Sequence, residues 1–342
     1  MSKSIITLSL IIGTLTTLSS DHWLLAWVGL EISTLAIIPL MILPHHPRST
    51  EAATKYFLTQ AMASATILFS SIINAWKTGQ WNLTSIFDPL STITAIALMT
   101  KLGLAPMHFW LPEVLQGIPL TTGLILSTWQ KIAPMAILLQ ISESVNIFVL
   151  FLVGLVSAYV GGWGGINQTQ LRKIMAFSSI SHLGWMIAVL KLNPHLTLYN
   201  LIIYILMTTA MFLSLSSLFL TKSIQMATLW SYTPTLTVAF LLIIFSLTGL
   251  PPLLGFSPKL LIVMELTKQD TSFLATLLLL SSLLTTFFYL RLTFVSTLII
   301  SPNTQNSSIM WRTPLQANIW VSIFTLLSTM TFIMTPTFFY LL

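Results

Sequence analysis

Apolar residues in this chain run in blocks of about 20, separated by short polar punctuations. That is the length an α-helix needs to cross the roughly 30 Å apolar core of a bilayer. The pattern predicts transmembrane helices over 4–20, 23–43, 52–74, 89–110, 119–140, 146–163, 171–190, 196–220, 236–266, 273–299 and 316–340. His45-His46-Pro47-Arg48 and Asn193-Pro194-His195 read as hairpin loops between spans. The longest stretch outside the spans is Ser301–Pro314. The expected fold class is an all-α integral membrane protein of about eleven transmembrane helices, with no hidden soluble domain.

Two predicted spans are irregular. The fourth carries Gly103-Leu104-Ala105-Pro106 and runs on to Pro112-Glu113. The ninth carries Gly249-Leu250-Pro251-Pro252, runs on to Pro258-Lys259, and is too long for one straight helix. The same Gly-Leu-x-Pro-x5-Pro spacing thus recurs 146 positions later, from 103 to 249. Proline lacks the amide donor and clashes with the preceding turn, so both helices should break. Paired interrupted helices in two halves point to a repeat-built transporter with its ion path at the breaks. Two unrelated proline kinks, common in membrane helices, are the competing reading.

Composition sharpens this picture. The chain has 342 residues, 55% hydrophobic and 6% charged, with mean hydropathy +0.89. Soluble domains carry about 25% charged residues, so no globular surface fits. Cysteine is absent, which excludes disulfides, iron–sulfur clusters and thiolate metal sites in this chain. The net charge is +6, but the basic residues are scattered, and a nucleic-acid surface is not expected. Gly161-Gly162-Trp163-Gly164-Gly165 does not fit a dinucleotide fingerprint, and no nucleotide or flavin site is visible. Lys3 before Ile5–Ile12 has the outline of a signal peptide, but no small-residue cleavage site precedes the next span.

Loop charge gives an orientation. One side carries Arg48, Arg172, Lys173, Lys222 and Arg312. The other carries Lys77, Lys191 and Lys268, offset by Asp21, Asp88, Glu143 and Asp270. The positive-inside rule puts the first side, with Lys3 and the N-terminus, on the cytoplasmic-equivalent face.

The candidate chemistry lies in ionisable residues inside apolar blocks. Glu31, Lys101 and Lys131 sit mid-span, and Lys259 follows the second break. A charge at mid-membrane costs at least a few kcal/mol, so each must be paired, hydrated or useful. A buried lysine whose carboxylate partner can move is a switchable proton site. A row of them could pass a proton by alternating charge. Glu31 as a fixed counter-ion, and Lys101 and Lys131 as static ion-pair partners, compete with that reading. Lys77, Lys222 and Lys268 read as snorkelling anchors, and Lys55, at the start of a span, could face the bundle. For His182, in the polar stripe Ser178-Ser179-Ile180-Ser181-His182, and for His108, a proton relay competes with a satisfied interior histidine.

Taken together, these motifs resemble the antiporter-like membrane subunits of respiratory complex I, NADH:ubiquinone oxidoreductase. The matching stretches are Trp27-Val28-Gly29-Leu30-Glu31, Pro47 to Ala61, Lys101 to Glu113, Trp129-Gln130-Lys131, Gly164 to Lys173, Ser179 to Trp185, and Leu250 to Lys259. They span roughly residues 20–295, and their combination is specific.

The resemblance implies two inverted five-helix repeats, at 1–140 and 146–299, with a linker and C-terminal helix at 300–342. It implies that Glu31 pairs with Lys101, that Lys131 is a central connecting lysine, and that Lys259 stands beside the second break. Lys55 resembles a second lysine close to the glutamate, and His182 falls on the polar axis joining the half-channels. The implied function is a proton-translocating module of the complex. NADH, FMN, iron–sulfur clusters and ubiquinone belong to other parts of it, and this chain itself binds no cofactor and no metal. The implied partners are the other membrane subunits and lipids such as cardiolipin, in the mitochondrial inner membrane, with the N-terminus on the matrix side. Many members of the wider family begin with three additional helices, and this chain aligns from their fourth. That departure argues against the rival reading of a stand-alone cation/proton antiporter. A purely structural scaffold, the other rival, leaves the four mid-membrane charges unexplained.

Overall fold

In the computed structural model the described residues are 2–43, 45–229, 234–298 and 319–330. The expected loop Ser301–Pro314, with Arg312, lies outside them, as do the ends of the span expected over 316–340. The chain begins with α1 (Ser2–Leu18), α2 (Trp23–Ile42) and α3 (Pro47–Thr78), then a short 3-10 helix at Leu83–Ser85. Next come α4 (Leu90–Leu102), α5 (Trp110–Gly117), α6 (Leu120–Ser127) and α7 (Trp129–Ile141). They are followed by α8 (Ile147–Ile166), α9 (Leu171–Val189), α10 (Pro194–Ser217) and a second 3-10 helix at Ser223–Thr228. The last four are α11 (Pro234–Thr248), α12 (Phe256–Lys268), α13 (Ser272–Leu298) and α14 (Ile319–Met330). No strand occurs among the described residues.

Two units are distinguishable. One takes the residues up to Ser157 together with Met186–Pro194, and the other takes Ala158–Trp185 and the residues from His195 on. In the first, α3 shows how a membrane helix differs from a soluble one. Its inward positions include Ser49, Gln60, Ser64, Ser70, Ser71 and Asn74, all buried. Its outward positions include Met62 and Trp76, which are 71% and 87% exposed. Small and polar residues face the bundle, and large apolar ones face outward. His46 caps its start by accepting from the Arg48 amide at 3.2 Å, with Pro47 in the first turn. Gly79 ends it at φ 73°, in the left-handed region that glycine adopts without strain.

Among the described residues, six helices are long and apolar enough to cross a membrane by length and composition. Four shorter apolar helices, of 10–17 residues, fall within or against the spans expected at 4–20, 89–110, 236–266 and 316–340. Length and composition therefore establish six spans, against the eleven expected.

Both expected breaks are present, for the same local reason. After α4, Gly103 takes φ 82°, and the amides of Gly103 and Leu104 turn back to the Thr100 and Met99 carbonyls at 3.1 and 3.0 Å. After α11, Gly249 takes φ 78°, and the amides of Gly249 and Leu250 turn back to the Ser246 and Phe245 carbonyls at 3.1 and 3.4 Å. Each is a glycine-closed helix end, and the prolines that follow prevent resumption. A third interruption, between α6 and α7, is not expected from the sequence. Thr128 sits there at φ −114°, and its hydroxyl donates to the Leu124 carbonyl at 2.7 Å, competing with the backbone ladder.

Other local arrangements also occur twice. Single β-bridges join His22 to Asn82 in the first unit and Gln170 to Lys222 in the second. Gly13 lies against the Ser33 amide and the Gly29 carbonyl, so closely that a Cβ would sit 2.8 and 2.9 Å away. Gly161 lies the same way against the Ser181 amide and the Phe177 carbonyl, at 2.6 and 2.7 Å. All three positions are related by 148 residues: 13 to 161, 29 to 177 and 33 to 181.

Candidate functional site

In the first unit, polar residues from four helices meet at one point. A cavity of about 10 Å³ is lined by Thr34 of α2, Tyr56 and Gln60 of α3, Lys101 of α4, and Gln130 and Lys131 of α7. That volume is at the lower limit for holding one water. Lys101 and Lys131 are 6% and 3% exposed, and both expected lysines line this one small cavity. Ser33 and the apolar side chains of Leu30, Leu102, Trp110, Leu111, Leu126 and Pro134 complete the lining.

Each lysine is placed by a helix irregularity. Lys101 falls in the last turn of α4, where the negative end of the helix dipole favours a cation. The indole of Trp110 donates to the Thr100 carbonyl at 3.1 Å. Lys131 falls in the first turn of α7, directly after the Thr128 interruption. Gln130 beside it donates to the Ser33 carbonyl at 2.9 Å, tying α7 to α2.

Glu31 is half-buried on α2. It lies within electrostatic reach of both Lys101 and Tyr56. No direct ion pair joins Glu31 to Lys101. Instead, Glu31 Oε2 and Lys101 Nζ are each buried without a hydrogen-bond partner. The carboxylate and the ammonium are neighbours, but not in contact.

Lys55 of α3 is held by two carboxylates. Its ammonium bridges Glu51 at 2.6 Å and Glu113 of α5 at 2.7 Å, on an exposed edge of the unit. Its carboxylate partners are therefore Glu51 and Glu113, and Glu31 is not among them. The Nδ1 of His108 lies 3.2 Å from the Pro106 carbonyl, and its ring packs on Phe109 at 4.4 Å.

The second unit holds Lys259 and His182. Lys259 donates to the Thr248 carbonyl at 2.7 Å, across the break between α11 and α12. His182 is 8% exposed, with its ring 5.8 Å from that of Tyr204. Among the described residues, no group of three His, Asp or Glu side chains could hold a metal ion.

Sequence reasoning does not single out Tyr56, Gln60, Gln130 or Arg291. Arg291 of α13 donates from Nη1 to the Ile166 carbonyl at 2.5 Å, and from Nη2 to the Gln168 carbonyl. It thereby caps the end of α8. Its signal was a lone arginine inside an apolar block, the same signal that marks Lys101.

Comparison with known proteins places this arrangement. The family model described as NADH:quinone oxidoreductase/Mrp antiporter, TM, matches residues 20–285, and that for the NADH dehydrogenase subunit 2 C-terminus matches 286–339. NADH-ubiquinone oxidoreductase chain 2 of Aquarana catesbeiana is 60% identical over 336 residues, covering 98% of this chain and 97% of its own length. The Xenopus laevis protein of that name is 62% identical over 295 residues, covering 86% of each chain. A chain of respiratory complex I from Thermus thermophilus, solved with bound aureothin, is 27% identical with TM-score 0.83, covering 97% of this chain and 78% of that one. On this evidence the chain belongs to the NADH:quinone oxidoreductase/Mrp antiporter transmembrane family.

Proposed function

We propose that this chain is a core membrane subunit of respiratory complex I and supplies one proton-translocating module. The complex oxidises NADH and reduces ubiquinone, and the redox centres sit in other subunits. With no cysteine, this chain offers no iron–sulfur ligand of its own. Its partners are the neighbouring membrane subunits and lipids, cardiolipin among them. Its place is the mitochondrial inner membrane, with the N-terminus on the matrix side.

The observation that carries the reading is the shared cavity of Lys101 and Lys131, beside the unpartnered Glu31 Oε2 and Lys101 Nζ. A dry, locked ion pair would hold its proton. A lysine near a carboxylate but not bonded to it can gain or lose that attraction with a small movement. A single water, which the cavity of about 10 Å³ is just large enough to hold, would join it to the second lysine. In the proposed cycle, a signal from the quinone region shifts Glu31 against Lys101. Lys101 then changes protonation, Lys131 relays, and Lys259 loads or releases the proton toward the other side. Lys55 and His182 serve as flanking groups. Moving one charge against 100 mV requires about 2.3 kcal/mol, within what a carboxylate changing partners supplies.

The twice-repeated bridge, glycine contact and glycine-closed break support two related five-helix repeats, at 1–140 and 146–299, with 300–342 as linker and final helix. The test of the function is Lys101→Met with Lys131→Met in the assembled complex. Protons translocated per NADH should fall. An unchanged ratio would sink the module reading in favour of a scaffold.

A further inference from the structure

The second unit contains a buried hydroxyl cluster that the lysine relay does not use. Tyr289 of α13 is fully buried, and its hydroxyl has no hydrogen-bond partner. Ser178 of α9 lies beside it. The Ser178 proton is donated to the Met175 carbonyl at 2.9 Å, and the two hydroxyls do not bond. Tyr204 of α10, also fully buried, adjoins Ser179 and lies within electrostatic reach of Tyr289. The His182 ring is 5.8 Å from the Tyr204 ring. Helices α9, α10 and α13 therefore converge two phenols, two serines and one imidazole in an apolar interior.

The doubled architecture says what position this is. Tyr204 stands 148 positions after Tyr56, and Ser179 stands 148 positions after Glu31, the same interval that relates the paired glycine contacts. In the first unit that place carries a carboxylate near a tyrosine. In the second it carries hydroxyls near a tyrosine. A buried phenol left without a protein partner is costly, and internal water is the ordinary way such a group is satisfied.

We infer that Tyr289, with Ser178, Tyr204 and His182, binds internal water and passes protons through the second unit as a neutral hydroxyl node. The inference rests on the proton-module reading and adds a group to it. The step balances simply. A hydroxyl accepts a proton from water on one side and releases its own to an acceptor on the other. One proton enters, one leaves, and the phenol ends neutral. Such a node carries a proton without adding a further buried charge.

Tyr289→Phe in the assembled complex tests it. The change removes a hydroxyl but no protein hydrogen bond, so assembly should be retained. Protons translocated per NADH should fall as far as in Lys101→Met with Lys131→Met, because loss of a positioned proton-transfer group blocks the same route. Unchanged translocation overturns the node. If Lys101→Met with Lys131→Met lowers translocation and Tyr289→Phe does not, the module stands and the node alone falls. If neither lowers it, both fall. Should Tyr289→Phe fail to assemble, the native complex with ordered waters decides. A water bonded to the Tyr289 hydroxyl and linked to Tyr204 or His182 supports the node, and a dry hydroxyl overturns it.

Discussion

The Lys259 ammonium lies 2.7 Å from the carbonyl oxygen of Thr248, so the first turn of α12 caps the last residue of α11. A helix N-terminus is a poor place for a cation, and a helix C-terminus a good one. Lys259 occupies both positions at once, because the two half-helices meet at the Gly249 break. Replacing it by methionine should leave the Thr248 carbonyl without that donor, at a cost of about 1–3 kcal/mol. Thermal unfolding of the assembled complex measures this. Lys259→Arg, which keeps a donor, should recover much of the loss. Equal stability of Lys259→Met and the unaltered protein would mean that the cap does not hold the break.

The same break predicts an intolerance at Gly255. A Cβ there would lie 1.8 Å from the Ser246 carbonyl oxygen, and backbone cannot move aside as a side chain can. Gly255→Ala should destabilise by about 1–3 kcal/mol or more through overpacking. Gly79→Ala is the control: nothing lies near its Cβ, and only its φ of 73° resists substitution. That change should cost about 1–2 kcal/mol, the strain of a left-handed alanine. The yield and melting temperature of assembled complex separate the two. A Gly255→Ala complex as robust as Gly79→Ala would refute the close approach.

Arg291 supplies a third prediction. Its guanidinium satisfies the carbonyl of Ile166, the last residue of α8, and that of Gln168 just beyond, where a helix end leaves such groups free. Arg291→Met removes both bonds and should cost about 2–4 kcal/mol, since each is charge-assisted. Arg291→Lys, a single point charge without the fork, should recover about half of that. Hydrogen exchange at the α8–α9 connection would report the loss locally, and unchanged protection in Arg291→Met would count against the clamp.

What the sequence reveals follows from contrast. Glu31, Lys101, Lys131 and Lys259 stand out because a charge inside an apolar block is costly and rare. Tyr56, Gln60 and Gln130 line or adjoin the same cavity but do not stand out, because neutral polar residues are ordinary in membrane helices. The breaks after Leu102 and Thr248 are legible from Gly and Pro, whereas the one at Thr128 carries no breaker residue. Lys55 shows the limit of local pattern most clearly. Its partner Glu113 is 58 residues away, and only the packing of α5 on α3 brings the two together.

That packing gives the last prediction. Lys55, Glu51 and Glu113 form a network whose side chains are 42%, 61% and 52% exposed. Exposed ion pairs contribute little, about 0–1 kcal/mol, and salt screens them. Glu113→Gln should therefore shift the melting temperature of the assembled complex only slightly at low salt. At about 1 M salt, where the screening length is roughly 3 Å, the difference should vanish. Lys55→Met removes both pairs but should leave the cavity around Lys101 and Lys131 intact, because Lys55 does not line it. A loss of proton translocation in Lys55→Met as large as in Lys101→Met, with assembly unchanged, would move Lys55 from the edge of the module to its centre. Translocation close to that of the unaltered protein would leave Lys55 as a surface clasp between α3 and α5.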